Sequence, residues 1–166
     1  MATKIELETF AFRYSGVFDF ESLYRTAKAW FPSVNMNVNW EKLYKDKVSA
    51  PGGLREIEIN LQGYVKLDRY RKWNGNVVFK TWDTKETIVD GKRTFQGRIE
   101  VRVGGEILLD YVDMYTKRTQ SNFVKFLGRL LYHFTRKDAD FVTKKKCEAE
   151  MYALQSKLRK ILGMPV

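Results

Sequence analysis

Five residues in the middle of the chain could carry chemistry, because the strand pairing expected there turns them toward the apolar side of a β-sheet. They are Arg69, Lys80, Trp82, Glu86 and Asp110. A buried unpaired charge is costly, so the charged members must pair, reach the rim of the sheet or serve a ligand. A pocket with a basic end at Arg69 and Lys80 and an acid at Asp110 would bind a hydrophobic or amphipathic small molecule. An internal ion pair, or a bulge that turns Asp110 outward, is the alternative.

Residues suited to catalysis or metal binding are few. His133 is the only histidine and Cys147 the only cysteine, so no Ser-His-acid set follows from them and a metal site would need further ligands. Walker A, Gly-x-Gly-x-x-Gly and Cys-x-x-Cys patterns are absent from the sequence. We therefore predict no catalytic residue and no cofactor. An enzyme that uses Glu86 and Asp110 as acid and base is the alternative to a non-enzymatic binding protein.

The other side of the predicted sheet carries an apolar cluster. Its members are Tyr70, Phe79, Ile107, Leu109 and Tyr111. A patch of this kind is typical of an interface, either with another part of the chain or with a second copy in a homo-oligomer. Stacking of unpaired nucleic-acid bases on the aromatic rings, beside Lys72, Lys80 and Arg102, is the alternative.

The net charge of +10 is concentrated toward the C-terminal end of the sequence. Residues 117–166 contain twelve Lys or Arg and four Asp or Glu, which gives 12 − 4 = +8 in these fifty residues. The basic residues expected on a helix surface there are Arg136, Lys137, Lys144, Lys145, Lys146 and Lys157. A basic segment indicates an acidic partner: nucleic acid, an anionic membrane surface or an acidic protein. A solvated helix surface without a partner is the alternative.

Three glycine-containing pairs predict a four-stranded antiparallel meander over residues 55–115. They are Asn74-Gly75, Asp90-Gly91 and Gly104-Gly105, each suited to a two-residue hairpin loop that needs positive φ. The register that follows places one apolar set on a single face: Ile57, Ile59, Leu61, Val65, Leu67, Val78, Trp82, Phe95, Ile99, Val101, Val103, Leu108, Val112 and Met114. The other face carries a cross-strand ladder of alternating charge made by Lys66, Asp83 and Arg98.

A strand, a helix and a further strand are predicted before the meander. Alternating apolar residues over 4–14 indicate a strand, and a change of parity places a bulge near Thr9. Helical spacing over about residues 20–31 follows Asp19, a favourable N-cap. The pattern of residues 40–49 favours a strand over a short helix.

The C-terminal third predicts two helices. The first, over about residues 120–134, has an apolar stripe that we expect to cover the apolar face of the sheet: Phe123, Phe126, Leu127, Leu130, Leu131 and Phe134. The second, over about residues 138–162, is a basic extension with a narrow apolar seam: Cys147, Met151, Leu154, Leu158 and Ile161.

This order of elements resembles the helix-grip fold of the START/Bet v1-like (SRPBCC) superfamily. There a curved antiparallel sheet grips the last helix and encloses a cavity for lipids, sterols or other hydrophobic ligands, and some members are enzymes. The chain departs from that pattern by having one early helix instead of two short ones, and by its basic extension. The resemblance implies a lipid-like ligand in an inner hydrophobic pocket.

The predicted fold class is therefore α+β, with a curved antiparallel β-sheet packed on a long C-terminal helix and a basic helical extension. One domain is expected over residues 1–166, with a body at 4–116 and C-terminal helices at 119–162. No run of 18 apolar residues occurs, so no transmembrane segment is predicted. Charged residues near the start are unlike a signal peptide, and one cysteine excludes an intrachain disulfide. A cytoplasmic location is expected.

Overall fold

An antiparallel sheet and two helices make up the computed structural model, which describes residues 3–49, 53–109 and 121–165. The elements in order are β1 Thr3–Glu6, β2 Phe10–Phe18, α1 Phe20–Ser33, β3 Asn37–Ser49, β4 Leu54–Lys66, β5 Arg71–Val89, β6 Lys92–Leu109 and α2 Asn122–Ile161. Strands β3, β4, β5 and β6 are neighbours in that order, and both β1 and β2 pair with β6. The predicted α+β class, an antiparallel sheet with a long C-terminal helix, is confirmed.

The first part of the chain follows the prediction closely. The pairing with β6 shifts by one residue between Glu6 and Phe10, which is the bulge expected near Thr9. Helix α1 starts after Asp19, whose carboxylate accepts a hydrogen bond from the backbone N–H of Ser22 at 3.0 Å. This satisfies one of the free donors at the helix start. The predicted strand at residues 40–49 lies within β3.

One of the three predicted hairpin turns is confirmed. Strands β5 and β6 join at Asp90-Gly91, where both residues have positive φ, 50° and 76°. That conformation matches the right-handed twist of the flanking strands in a two-residue loop.

The other two glycine pairs were wrongly predicted as turns, because they lie inside β5 and β6. Gly63, Gly75 and Gly105 pair with one another across three strands and form a glycine row. A Cβ atom on Gly63 would lie 2.5 Å from Cδ1 of Phe31, and one on Gly75 would lie 3.0 Å from Cε of Met36. The glycines are needed because the segment formed by α1 and the residues after it packs close to the sheet there.

The turn between β4 and β5 is made by an aspartate instead. The Asp68 carboxylate accepts hydrogen bonds from the backbone N–H groups of Tyr70 at 2.7 Å and Arg71 at 2.6 Å. A side chain that bonds its own backbone in this way stabilises a turn without glycine. Residues 55–109 therefore contain three long strands, and the predicted continuation through Val112 and Met114 lies outside the described residues.

The turn at Asp68 and a bulge at Asp83 change the face of the sheet to which some side chains were predicted to point. Asp83 has φ of 53°, and the pairing of β5 with β6 shifts there, so that Trp82 lies opposite Arg98 and not Ile99. Ile57, Ile59, Leu61, Ile99, Val101 and Val103 are buried as predicted. Val78, Trp82 and Leu108 were predicted inward but lie on the outer face, while Phe79, Ile107 and Leu109 were predicted outward but are buried.

The predicted ladder of alternating charge is also only partly correct. Asp83 and Arg98 form an ion pair. Lys66, the third predicted member, lies opposite Lys72 at the other end of the sheet. The error has the same cause as the reversed facing, since the ladder was placed by the wrong turn.

Helix α1 and the C-terminal half of α2 cover the inner face of the sheet. Leu23, Ala27 and Phe31 of α1 are fully buried, as are Met151, Leu154 and Leu158 of α2. The two helices predicted at the C-terminus are one continuous helix of 40 residues, about 60 Å long. Its seam ends on buried Leu162, not on the predicted Ile161, which is 40% exposed.

Candidate functional site

Two surfaces are candidates for a functional site. The first is the N-terminal part of α2, residues 122–135, which we name the exposed segment. The second is the outer side of the sheet around Trp82, which we name the Trp82 face. They belong to different elements and have opposite character, the first apolar and the second charged.

The exposed segment presents its large apolar residues to solvent. Apart from buried Tyr132, the apolar side chains described there are between 42% and 76% exposed: Phe123, Val124, Phe126, Leu127, Leu130, Leu131 and Phe134. We expected this stripe to cover the apolar face of the sheet, and that expectation was wrong. The C-terminal half of α2 covers the sheet instead.

The exposed apolar side chains share one side of the helix. At about 100° per residue, positions 123, 126, 127, 130 and 134 fall within an arc of roughly 100°. The same rotation places the buried seam at 147, 151, 154 and 158 about 100° away from the centre of that arc. The apolar side of the exposed segment therefore does not continue the buried seam, and it is exposed.

Basic residues follow directly after the exposed segment. The predicted surface cations Arg136, Lys137, Lys145, Lys146 and Lys157 are exposed, and Lys144 is half-buried. Two of them pair with Glu148, at 3.7 Å for Lys144 and 3.4 Å for Lys145. The guanidinium of Arg136 lies 5.4 Å from the ring centroid of Tyr132.

A cluster of contacts marks where the exposed segment meets the body. Tyr70, a predicted interface residue, places its ring centroid 3.6 Å from that of Tyr132. Arg71 donates hydrogen bonds to Thr143 Oγ1 at 2.7 Å and to the carbonyl oxygen of Ala139 at 3.1 Å. We name these contacts of Tyr70 and Arg71 with α2, together with the Asp68 carboxylate that pairs with Arg71, the latch. The part of α2 before Tyr132 is ten residues long and extends about 15 Å beyond it.

Charges inside the latch stabilise one another. Burial would raise the pKa of Asp68, but hydrogen bonds from the backbone and side chain of Arg71 outweigh it and hold that pKa below its ordinary value. Burial would lower the pKa of Arg71, but the hydrogen bond and charge of Asp68 raise it. The Arg71 Nη2 to Asp68 Oδ2 distance is 2.8 Å.

The four predicted ligand-binding residues that the structure describes do not meet in an inner pocket. Lys80 and Trp82 lie on the outer face, Arg69 is exposed in the turn, and Asp110 lies outside the described residues. Glu86 is exposed, with its carboxylate 3.5 Å from Arg93 Nε. One misplaced turn and one bulge explain the difference, because each changes the side to which the following residues point.

The predicted outer apolar cluster is also wrong in most of its members. Phe79, Ile107 and Leu109 belong to the core, at 0%, 1% and 8% exposure. Tyr70 serves the latch, and Tyr111 lies outside the described residues. Phe79, Ile107 and Leu109 are therefore packed by another part of the chain, one of the two alternatives predicted for the cluster, and do not form a surface for a second copy.

The interior contains a pair of buried polar groups that the sequence did not indicate. The indole N–H groups of Trp30 and Trp73 are buried, with no hydrogen-bond partner among the described residues. Their rings meet edge to face, with centroids 5.9 Å apart. An inner ligand pocket stays a prediction.

The Trp82 face has a regular arrangement of charges. Lys45, Glu58, Lys80, Glu100 and Arg13 lie opposite one another on five adjacent strands, a row about 19 Å across. Glu100 is 4% exposed and accepts hydrogen bonds from Arg13 Nε at 2.8 Å and from Arg102. Burial would raise the pKa of Glu100, but these two arginines lower it below its ordinary value.

Two grooves open on either side of Trp82. One, of about 380 Å³, is lined by Arg13, Tyr14, Ser15, Trp82, Arg98 and Ile99. The other, of about 200 Å³, is lined by Lys45, Lys47, Glu56, Ile57, Glu58, Lys80, Thr81 and Trp82. The ammonium of Lys80 lies 5.4 Å from the centroid of the Trp82 ring. An aromatic ring thus separates two recesses in which cations outnumber acids by five to two.

A third groove on the outer face is polar. It encloses about 590 Å³, and its walls include Gln62, Tyr64, Lys72, Asn74 and Asn76. Glu106 in this groove accepts hydrogen bonds from Lys4 and from Asn74 Nδ2, each at 3.1 Å. Burial would raise the pKa of Glu106, but these bonds lower it. The Glu106 carboxylate in this groove is therefore already paired within the protein.

The described residues show little that points to catalysis. Cys147 is 3% exposed, and burial together with the charge of Glu148 raises the pKa of its thiol to about 12, so a thiolate nucleophile is disfavoured. No group of three His, Cys, Asp or Glu residues within the described ranges is placed to hold a metal ion. Glu86 and Asp110 remain an untested prediction for an acid and a base.

Comparison with known proteins does not identify the chain. No protein-family model matches it, and no curated protein sequence matches it.

Neither helix in the described ranges has a window long and apolar enough to span a lipid bilayer.

Proposed function

We propose that the protein is a non-enzymatic module that attaches to an anionic membrane surface through the exposed segment of α2. The observation that carries this proposal is the apolar arc of the exposed segment, which is exposed and is followed at once by basic residues. A helix with an apolar side and adjacent cations lies in the plane of a bilayer surface, with the apolar side among the acyl chains.

The free energy gained by burying the apolar arc in the bilayer is large enough for reversible membrane attachment. Full burial of a Leu or Phe side chain contributes roughly 1.5–3 kcal/mol. Three of these exposed residues are Phe and three are Leu, so partial insertion of the arc supplies several kcal/mol. Each factor of ten in affinity requires about 1.4 kcal/mol.

Charge favours an anionic surface over a second copy of the chain. Residues 136–146 hold five Lys or Arg against two Asp, which gives 5 − 2 = +3. A lysine or arginine close to an anionic leaflet contributes about 1 kcal/mol. Two copies joined through their exposed segments would bring like charges together within a protein whose net charge is +10.

Other functions predicted from the sequence have less support. A lipid-like ligand in an inner pocket loses three of the residues proposed to bind it, since Lys80 and Trp82 lie on the outer face and Arg69 is exposed in the turn. An acidic protein partner would use the same cations but gives no role to the exposed apolar arc. An enzyme using Glu86 would use a carboxylate that is exposed beside Arg55 and Arg93.

Vesicle flotation tests the proposal. Purified protein is mixed with vesicles of phosphatidylcholine alone or with about a third phosphatidylserine, at physiological salt. We expect flotation with the anionic vesicles, much less with the neutral ones, and a loss as salt rises because surface charge is screened. Equal flotation with both kinds of vesicle would remove the role of the cations.

Paired substitutions identify the surface that binds. The double variant Phe126→Asp, Leu130→Asp should lose at least tenfold in affinity for anionic vesicles. The matched control is Val48→Asp, Ile88→Asp, which changes two strand residues that are 69% and 75% exposed. The control should float like the unchanged protein, and an equal loss in both variants would contradict the proposal.

The molecular mass in solution distinguishes a segment that binds a membrane from one that binds a second copy of the chain. The chain of 19.6 kDa should elute as a monomer by light scattering in the absence of vesicles. A dimer that dissociates on Phe126→Asp, Leu130→Asp would show that the exposed segment binds its own copy, and would overturn the proposal.

A further inference from the structure

We infer that the Trp82 face binds single-stranded nucleic acid, with a base stacked on the Trp82 ring and phosphates along the cations of its two grooves. This inference does not depend on the membrane proposal, because it rests on strands β2 to β6 and not on α2. The arrangement consists of an aromatic ring on an open sheet face, recesses on both sides of the ring, and cations in each recess.

The ring can receive a base because it lies on the outer face. Trp82 sits opposite Arg98, which lies opposite Ser15, so it belongs to the outer row of β5, β6 and β2. It is half-buried and keeps one part accessible to both grooves. Stacking of bases on aromatic side chains is tolerant of sequence, since every base has a π-face.

The cations are placed on two sides of the ring. Arg13 and Arg98 line the larger groove, while Lys45, Lys47 and Lys80 line the smaller one. Of the acids in the grooves, Glu58 lies opposite Lys45 and Lys80. The residues that line both grooves carry 5 − 2 = +3. Arg13 and Arg98 are also paired with Glu100 and Asp83, which leaves 5 − 4 = +1 for the whole set. A phosphate backbone that enters one groove and leaves by the other would contact cations in both.

The buried carboxylate of Glu100 fixes the position of Arg13. Arg13 has a side chain that is 79% exposed, but its Nε is held 2.8 Å from Glu100 Oε2. The guanidinium is therefore oriented without being removed from solvent. A fixed and exposed guanidinium suits phosphate contacts, because fewer of its rotamers are lost on binding.

The shape and chemistry favour a single strand over other acidic ligands. Duplex nucleic acid hides the faces of its bases, so the ring between the grooves would have no partner there. An acidic peptide would satisfy the cations but has no flat π-surface for Trp82. The two grooves hold about 380 and 200 Å³, which suits one base with its flanking backbone rather than a bulky duplex.

The two proposed surfaces can be occupied together. The seam of α2 packs on the inner face of the sheet, and the Trp82 face is the outer side. A protein attached to a membrane through the exposed segment would still present the Trp82 face to solution. The two proposals can therefore fail independently.

Anisotropy of a fluorescein-labelled single-stranded oligo(dT) of about twelve nucleotides tests the inference, at low and at physiological salt. Trp82→Ala should weaken binding about tenfold, and Trp82→Phe should retain most of the affinity. The variant Lys45→Gln, Lys47→Gln should weaken binding. It should also reduce the slope of log K against log salt concentration by about 1 to 2. Circular dichroism and urea unfolding confirm that each variant is folded.

Matched controls define the outcomes that would overturn the inference. Arg93→Gln changes an exposed arginine in the β5–β6 hairpin, away from Trp82, and Phe126→Asp changes the exposed segment. Both should bind oligo(dT) unchanged, and a duplex of equal length should bind at least tenfold more weakly. Unaltered binding in folded Trp82→Ala, equal binding of duplex, or equal binding of inorganic polyphosphate would each exclude base stacking at this face.

Discussion

The two halves of α2 carry similar amounts of apolar residue but use them differently. In the C-terminal half, Cys147, Met151, Leu154 and Leu158 are at most 3% exposed. In the exposed segment, apolar residues with the same helical spacing are between 42% and 76% exposed. Helical periodicity shows that a helix has an apolar side, but it does not show what that side contacts.

The difference lies in what surrounds each apolar side. The seam of the C-terminal half is narrow and built from residues that fill the space between sheet and α1. The apolar arc of the exposed segment is wide and rich in phenylalanine, and cations follow it. A wide arc with flanking cations is typical of helices at a membrane surface, whereas a narrow seam is typical of helix packing within a protein.

The largest expected effect is a loss of stability, and it is confined to the C-terminal half of α2. Leu154→Ala should reduce the free energy of unfolding by about 2–5 kcal/mol, because it leaves a cavity at a fully buried site. Leu130→Ala, the same change in the exposed segment, should alter it by no more than about 0.5 kcal/mol. Urea unfolding measures both. A similar loss in the two variants would mean that the exposed segment is part of the core.

The second effect is on the reactivity of a thiol in each half. Cys147 is buried and its pKa is raised to about 12 from 9.0, so iodoacetamide at pH about 8 should alkylate it at least 100-fold more slowly than an exposed cysteine. Leu130→Cys in a Cys147→Ala background is the comparison. Comparable rates for the two cysteines would show that the C-terminal half opens readily.

The smallest effect is on the latch and depends on pH. The folded-state pKa of Asp68 is lowered, so the group stabilises the fold above its unfolded pKa of 3.8, and this contribution is lost as pH falls through the folded value. Asp68→Asn should therefore be less stable than the unchanged protein at pH about 6, with the difference closing as pH falls toward about 2. Asp138→Asn, an exposed change on α2, is the control. If the difference in the free energy of unfolding between Asp68→Asn and the unchanged protein grew on acidification, the pKa of Asp68 would not be lowered by folding.

Local signals predicted the first part of the fold correctly. The cap at Asp19, the bulge near Thr9 and the turn at Asp90-Gly91 depend on neighbouring residues alone. The alternation of Ile57, Ile59 and Leu61, and of Ile99, Val101 and Val103, correctly indicated one buried face.

Glycines caused the largest error in the predicted strand pairing, because glycine occurs both in tight turns and at close packing contacts inside strands. Gly75 and Gly105 were taken for turn residues, but their lack of a Cβ admits Met36 and the backbone of a neighbouring strand. That requirement comes from residues distant in sequence, so no local pattern shows it. The bulge at Asp83 was missed as well, and it moved Lys80 and Trp82 to the outer face. The candidate site was therefore found from the structure and not from the sequence.

The sequence showed the apolar residues of the exposed segment but not their exposure. Its phenylalanine-rich arc and the cations after it were both visible. The arc was assigned to the sheet because the sheet needed a cover, and nothing in the pattern showed that the next 25 residues would supply that cover. Choosing between two apolar sides of one helix requires the three-dimensional packing.

A polarity-sensitive fluorophore placed in each half of α2 tests the central proposal most directly. The label is attached to Leu130→Cys or to Ala153→Cys, an exposed position in the C-terminal half, each in a Cys147→Ala background. On addition of anionic vesicles, we predict a blue shift and higher intensity at position 130 and no change at position 153. An unchanged spectrum at position 130, or equal changes at both positions, would contradict attachment through the exposed segment.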